Sequence, residues 1–215
     1  MEKLPPDIGV FNSNVNPVLC SPNTPFVLGF YQTQETLQDV ELYKRFLNNA
    51  ISRFRHSRTY KSIKSDLMSL GMDKCQVHGN IVDGEMATVE MHHCILTIFD
   101  IALMITEHTL RTKGMISSFD LVLALQQEHK EHNVPLTMLS KTPHQLYHNT
   151  DELFIAPSMV FGNWYRLLEK YKYGITKEIA FKIIFYLNKA IETGNLTEDN
   201  DILSLREKIQ KWSIE

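Results

Sequence analysis

Apolar residues recur at helical spacing through residues 37–57, at Val40, Leu42, Tyr43, Phe46, Leu47, Ile51 and Phe54, which predicts an amphipathic helix. A second helix is expected over residues 59–70, closed by Gly71, because glycine accepts the left-handed conformation that ends many helices. The pattern then shortens to alternation. KCQVHGNIVDGEMATVEMHHCI carries two alternating apolar runs around Asp83-Gly84, a turn dipeptide, and so reads as a hairpin with VEMHHC on its second strand. Helical spacing returns in TIFDIALMITEHTL and SSFDLVLALQQEHKEH, the latter with Ser117 or Ser118 as N-cap. A loop, NVPLTMLSK, is expected to lead into a compact helix, TPHQLYHN. MVFGNWYRLLEKYKY, KEIAFKIIFYLNKAIE (capped by Thr176) and DNDILSLREKIQKW are all helical in character. Residues 1–36, rich in Pro, Asn and Ser, read as an extended arm.

Composition narrows the class. With 43% hydrophobic and 22% charged residues the chain resembles ordinary soluble domains, and no apolar run approaches the roughly 18–20 residues of a membrane span. The segment MEKLPPDIGV lacks the apolar core of a secretion signal, and Cys20, Cys75 and Cys94 make no disulfide framework. The expected setting is therefore a reducing cytoplasm. A net charge of −3 excludes a uniformly basic surface, yet residues 43–65 hold seven Lys or Arg and no acid (Lys44, Arg45, Arg53, Arg55, Arg58, Lys61 and Lys64). Within this segment Arg53, Arg55, Arg58, Lys61 and Lys64 are candidates for gripping phosphates; the alternative is a solvated helix face.

Eight of the nine histidines lie between His78 and His148. His144 and His148 are four residues apart, so a helix would present both imidazoles on one face, as helices do when offering two nitrogens to one divalent ion. His92 and His93 are adjacent on an expected strand and must face opposite ways, whereas Glu90 shares the side of His92 and could orient its ring. The plainer alternatives are a buried histidine beside an exposed one for the doublet, and a solvated helix face for the helical pair. His108, His129 and His132 read as surface residues of a charged helix end. Cys94 reads as a packed core thiol, with a fourth soft metal ligand as the alternative, and Trp164, Tyr165, Tyr171 and Tyr173 as core aromatics rather than base-stacking platforms.

The order VEMHHC, PLTMLSKTPH, HQLYH resembles the ββα-metal core of HNH endonucleases, over about residues 73–150. In that family a strand carries Glu-x-His-His or Asp-His-His, a loop carries Asn-Leu-x-x-Leu-Cys-x-x-Cys-His, and a helix supplies a last histidine. Leu136, Leu139, His144 and His148 stay in frame, and KCQVHG resembles the first half of the family's zinc knuckle, with Cys75 kept and His78 at the second cysteine. Pro135 stands where the family has the Asn that orients its general base, a role left to Asn133 nearby or to a residue elsewhere, and Ser140 and Pro143 replace the second cysteine pair, leaving a degenerate knuckle.

The resemblance implies an α+β, mostly helical fold. An HNH-like core (73–150) would carry a helical insertion at 97–132, between the arm (1–36) with a basic helical segment (37–72) and a C-terminal helical segment (151–215). It implies His92, His144 and His148 as ligands of one divalent ion, zinc, magnesium or manganese, with His93 as general base and Glu90 supporting. Cys75, His78 and Asn133 are secondary site candidates. The implied activity is hydrolysis of nucleic acid phosphodiesters in the cytoplasm of a bacterial or phage-infected host cell, with DNA as the expected partner, no membrane partner, and homo-oligomerisation left open. Two alternatives stand beside it: an inactive HNH-like nucleic-acid-binding, assembly or regulatory protein of a phage or mobile element, and a metal-dependent hydrolase of small phosphoesters or nucleotides.

Overall fold

Side-chain caps and apolar stripes coincide at the helix starts, which is why the periodic segments fold locally as helices. A computed structural model describes residues 31–85, 87–149 and 153–214. The expected arm therefore lies, up to residue 30, outside the described residues. Tyr31–Thr33 forms a short strand, β1. Helix α1 (Val40–Arg55) starts where the Asp39 carboxylate accepts from the amides of Glu41 and Leu42, and it buries Leu47, Ala50, Ile51 and Phe54. Helix α2 (Arg58–Ser69) is capped by Ser57 and buries Ile63 and Leu67. Strand β2 (Val89–His93) follows, then α3 (Ile98–Lys113), β3 (Met115–Ser117) and α4 (Ser118–Lys130). Both α3 and α4 open on reciprocal capping boxes, Thr97 with Asp100 and Ser117 with Asp120.

Strand β4 (Leu136–Ser140) runs directly into α5 (Lys141–Asn149). The chain ends in a short α6 (Trp164–Lys170), α7 (Lys177–Glu192) and α8 (Asn200–Trp212). The fold is α+β and mostly helical, with eight α-helices and two two-stranded sheets, β1–β3 and β2–β4, among the described residues. Helices α1, α3 and α4 share one apolar core through Leu47, Phe54, Ile101, Ile105, Leu121 and Leu125, extended by Leu168, Ile183 and Ile209 from the last three helices. No described helix is long and apolar enough to cross a membrane.

Two local expectations are corrected. The alternating run around Asp83-Gly84 does not form a hairpin with β2. Gly84 turns the chain at φ +80°, but among the described residues only isolated bridges, Lys74 to Val82 and Asp83 to Ala87, form around it. The Asp83 carboxylate is occupied in holding the Val89 amide (2.6 Å) and Lys64 (3.2 Å), which folds the segment into a loop anchored at the start of β2. The partner of β2 is instead LTMLS, expected to be a loop. All five of its residues are buried, and it pairs antiparallel with Val89 opposite Ser140 and His93 opposite Leu136. Pro135 just before it withholds no ladder donor, so the proline that suggested a loop is compatible with a strand start.

MVFGNWYRLLEKYKY is likewise interrupted: only Trp164–Lys170 is α-helical, because Phe161 pairs with Leu136 through both backbone bonds (2.9 and 2.7 Å). Gly162 makes that pairing feasible, since it sits at φ +110° against the Val134 carbonyl, where a Cβ would collide. Trp164 and Tyr171 are buried as expected of core aromatics, while Tyr165 and Tyr173 stay partly exposed.

Candidate functional site

Pairing of β2 with β4 sends alternate β2 side chains to opposite sides of the ladder, and α5 then folds back across one of them. Glu90 and His92 meet that helix. The His92 ring lies 4.8 Å from the His144 ring and 4.9 Å from Tyr147, both edge-to-face, and a Glu90 carboxylate oxygen lies 2.8 Å from Nδ1 of His144. A carboxylate can only accept, so His144 donates through Nδ1, and in the neutral ring the lone pair is then on Nε2. That is the arrangement in which a carboxylate orients a metal-binding imidazole. The strand period alone assigns Glu90 to His92; the structure attaches it to His144.

Two adjacent imidazoles, one with a carboxylate behind it, fit a divalent cation of the imidazole-binding kind. Among the described residues no three His, Cys, Asp or Glu side chains are grouped as a complete metal site. His148, the third expected ligand, stands on the last turn of α5, and its side chain lies outside the described residues.

His93 goes the other way. Its ring is 8% exposed, and Nε2 lies 3.0 Å from Nε2 of His129 on α4. The expectation of a surface His129 is corrected: it is buried at 1% exposure, packed against Phe54 with Nδ1 at 2.6 Å from the Leu125 carbonyl. The signal is present in the series Leu121, Leu125, His129, each four residues on and therefore on the core face, but the flanking charges of EHKEH conceal it. Burial depresses both rings. His129 is pushed down to about 4 against the opposing pull of Leu125 and Glu128, and His93 falls well below the ordinary histidine value through burial first, and then because a proton on it would be disfavoured beside His129, Arg55 and His92. The other two expected surface histidines are half-buried, His108 against Tyr171 and Tyr173 and His132 against Phe161.

Glu90, His92, His93 and His144 line one cavity of about 450 Å³, together with Arg55 and Lys64 from the basic segment. Tyr60, which sequence reasoning does not single out, joins them; burial raises its hydroxyl above the ordinary tyrosine range, Arg55 lowering and Glu90 raising it further. A larger cavity of about 620 Å³ between α3, α4 and β3 holds His108, Lys113 and Asp120 but none of the paired histidines.

The remaining expected residues go elsewhere. Arg53 turns to α4, donating to the Ser118 hydroxyl at 3.1 Å and lying over the Phe119 ring. Arg58 and Lys61 are exposed on α2, outside the cavity lining. The Asn133 amide is taken by Glu128 (2.8 Å) and Glu131 (3.1 Å). Cys75 is buried and accepts from the Ser140 hydroxyl (3.3 Å) and the His78 amide (3.5 Å). Burial alone would raise its thiol, but hydrogen bonds from Ser140, His78 and Val77 outweigh that and hold it below the ordinary value. Cys94 is buried beside Tyr147, and burial pushes its thiol up to about 11, as suits a packed core sulfur.

Fold and site together define an α+β, mostly helical protein with a histidine-lined, partly basic cavity beside a two-stranded sheet. The model of the bacteriophage G278-like virion protein family matches residues 23–214, and the chain belongs to that family. Neither a curated protein nor a solved structure matches it.

Proposed function

We propose that this phage virion-family protein is an HNH-like, metal-dependent nuclease that hydrolyses nucleic acid phosphodiesters in the cavity between β2, α2 and α5. The observation supporting it is convergence. Residues from three separate stretches, Arg55 with Lys64, Glu90 with His92 and His93, and His144, line one space, and each stretch supplies a different need of the reaction. Arg55 neutralises the backbone phosphate, and Lys64, itself paired with Asp83, adds to it more weakly. His93 removes the proton from the attacking water, a task suited to a neutral imidazole. His92, His144 and His148 hold the divalent ion, with Glu90 orienting His144. When bound, such an ion withdraws charge from the scissile phosphate. The strand–strand–helix order of β2, β4 and α5, with α3 to α4 inserted between the strands, accords with the ββα arrangement that the HNH resemblance implies. DNA in the infected cell or the particle is the substrate in this reading.

The test is cleavage of supercoiled plasmid with magnesium, manganese or zinc. Nicking by the wild-type protein, lowered roughly 10²–10⁴-fold in His93→Ala while cooperative unfolding is retained, is the expected result. Membership of a virion protein family favours one other reading, an assembly factor that binds nucleic acid without cutting it. Salt-sensitive DNA binding with no nicking in any of the three metals would establish that alternative and sink the nuclease. Turnover of a small phosphodiester with no attack on plasmid would point to small-substrate hydrolysis.

A further inference from the structure

The structure assigns to His129 the positioning of His93: it fixes the His93 tautomer and leaves Nδ1 as the lone-pair nitrogen of a ring that lines the cavity. The inference rests on the nuclease reading for its catalytic meaning, but its geometry stands independently. A backbone carbonyl can only accept, so the 2.6 Å contact between His129 Nδ1 and the Leu125 oxygen requires the proton on Nδ1. A neutral His129 then has a bare Nε2. The 3.0 Å contact with His93 Nε2 is a hydrogen bond only if His93 donates, which places the His93 proton on Nε2 and leaves Nδ1 free of hydrogen.

The chain from Leu125 through His129 to His93 thus runs in one direction. Water has little access to disturb it, since both rings are buried and His129 packs on Phe54 at 4.6 Å between ring centroids. Its base on α4 is rigid as well. The adjacent Glu128 is fully buried and accepts from Lys170 (2.5 Å), the Tyr171 hydroxyl (2.7 Å) and the Asn133 amide (2.8 Å), tying the end of α4 to α6.

This answers the absence created by Pro135. The position that carries Asn in the resembling family offers no side-chain amide here, and Asn133 is committed to Glu128 and Glu131. The partner of His93 comes instead from the helical insertion. Among the described residues His129 meets His93, Phe54 and the Leu125 carbonyl; it acts through His93.

The experiment uses the full chain labelled with ¹⁵N-histidine, followed by long-range ¹H–¹⁵N correlation at pH 8. The wild type is expected to show His93 protonated at Nε2 and His129 protonated at Nδ1. In His129→Leu, which keeps bulk and removes the acceptor, His93 is expected to show mixed tautomers, with kcat for plasmid nicking at least tenfold lower and KM within twofold. His129→Gln, whose amide oxygen can accept from His93, is expected to restore part of kcat. A wild-type His93 protonated at Nδ1 overturns the inference, as does an unchanged tautomer or an unchanged kcat in His129→Leu. Should His129→Leu fail to fold, the wild-type spectrum and the Gln variant still decide it. Absence of nicking by the wild type would overturn the nuclease reading alone, leaving the tautomer pattern to decide whether His129 orients His93.

Discussion

Burying two neutral imidazoles against each other makes stability depend on pH in a fixed direction. His129 has a folded pKa of about 4, below the ordinary histidine value of 6.5, so the unfolded chain binds the extra proton first as pH falls. Its stabilising contribution is complete above pH 6.5 and is lost progressively as pH drops toward 4. Chemical denaturation should give about 2 kcal/mol less stability at pH 5 than at pH 8 from this one residue, because each tenfold difference in proton affinity between the two states is worth about 1.4 kcal/mol. His129→Phe should flatten that slope. Asp83 behaves in the opposite sense, because a carboxylate below its ordinary value stabilises above its unfolded pKa and stops doing so as pH falls through its folded one. The Val89 amide is the chief cause and Lys64 adds to it. At pH 7, Asp83→Asn should cost about 1–2 kcal/mol, and the gap to wild type should close in strongly acidic denaturation curves.

At the scale of elements, the β4–Phe161 pairing depends on one residue without a side chain. Gly162→Ala forces both a positive φ and a collision with the Val134 carbonyl, and should lower stability by about 2 kcal/mol or more in thermal unfolding. Thr97→Ala and Ser117→Ala, which break the two capping boxes, should each cost about 1 kcal/mol. The Ser117 cap was legible in the sequence to within one residue, because a helix start is a local event, written here in a serine three residues before an aspartate. Strand β4 was not, because its identity is decided by what covers it. Nothing within NVPLTMLSK indicates that Val89–His93 will lie alongside. The site divided the same way. The faces of Glu90, His92 and His93 follow from the strand period, and the His144 face from the helix period. The attachment of Glu90 to His144 and of His129 to His93 joins residues far apart in the chain, which periodicity does not encode.

For the molecule as a whole, the basic segment contributes to the cavity through two residues rather than as a continuous stripe. Arg55 and Lys64 line it, whereas Arg53 is bonded to α4. Under the proposed nuclease reading, Arg55→Ala should reduce the slope of log K against log salt for DNA binding by about 0.9, the value for one phosphate no longer neutralised, and Lys64→Ala by less, because Lys64 is already paired with Asp83. Arg53→Ala should leave that slope nearly unchanged. Fluorescence anisotropy across a salt series separates the two outcomes.

The sheet beneath the cavity joins strands separated by all of α3, β3 and α4, and the histidine helix comes later still. Closing so long a loop is entropically costly and slow compared with forming helices, so the pocket is among the last features the chain completes. During synthesis, β2 emerges with its histidines well before β4 and α5 exist to meet them. A ribosome-bound or truncated chain ending ahead of residue 136 would therefore carry the basic helices without the cavity.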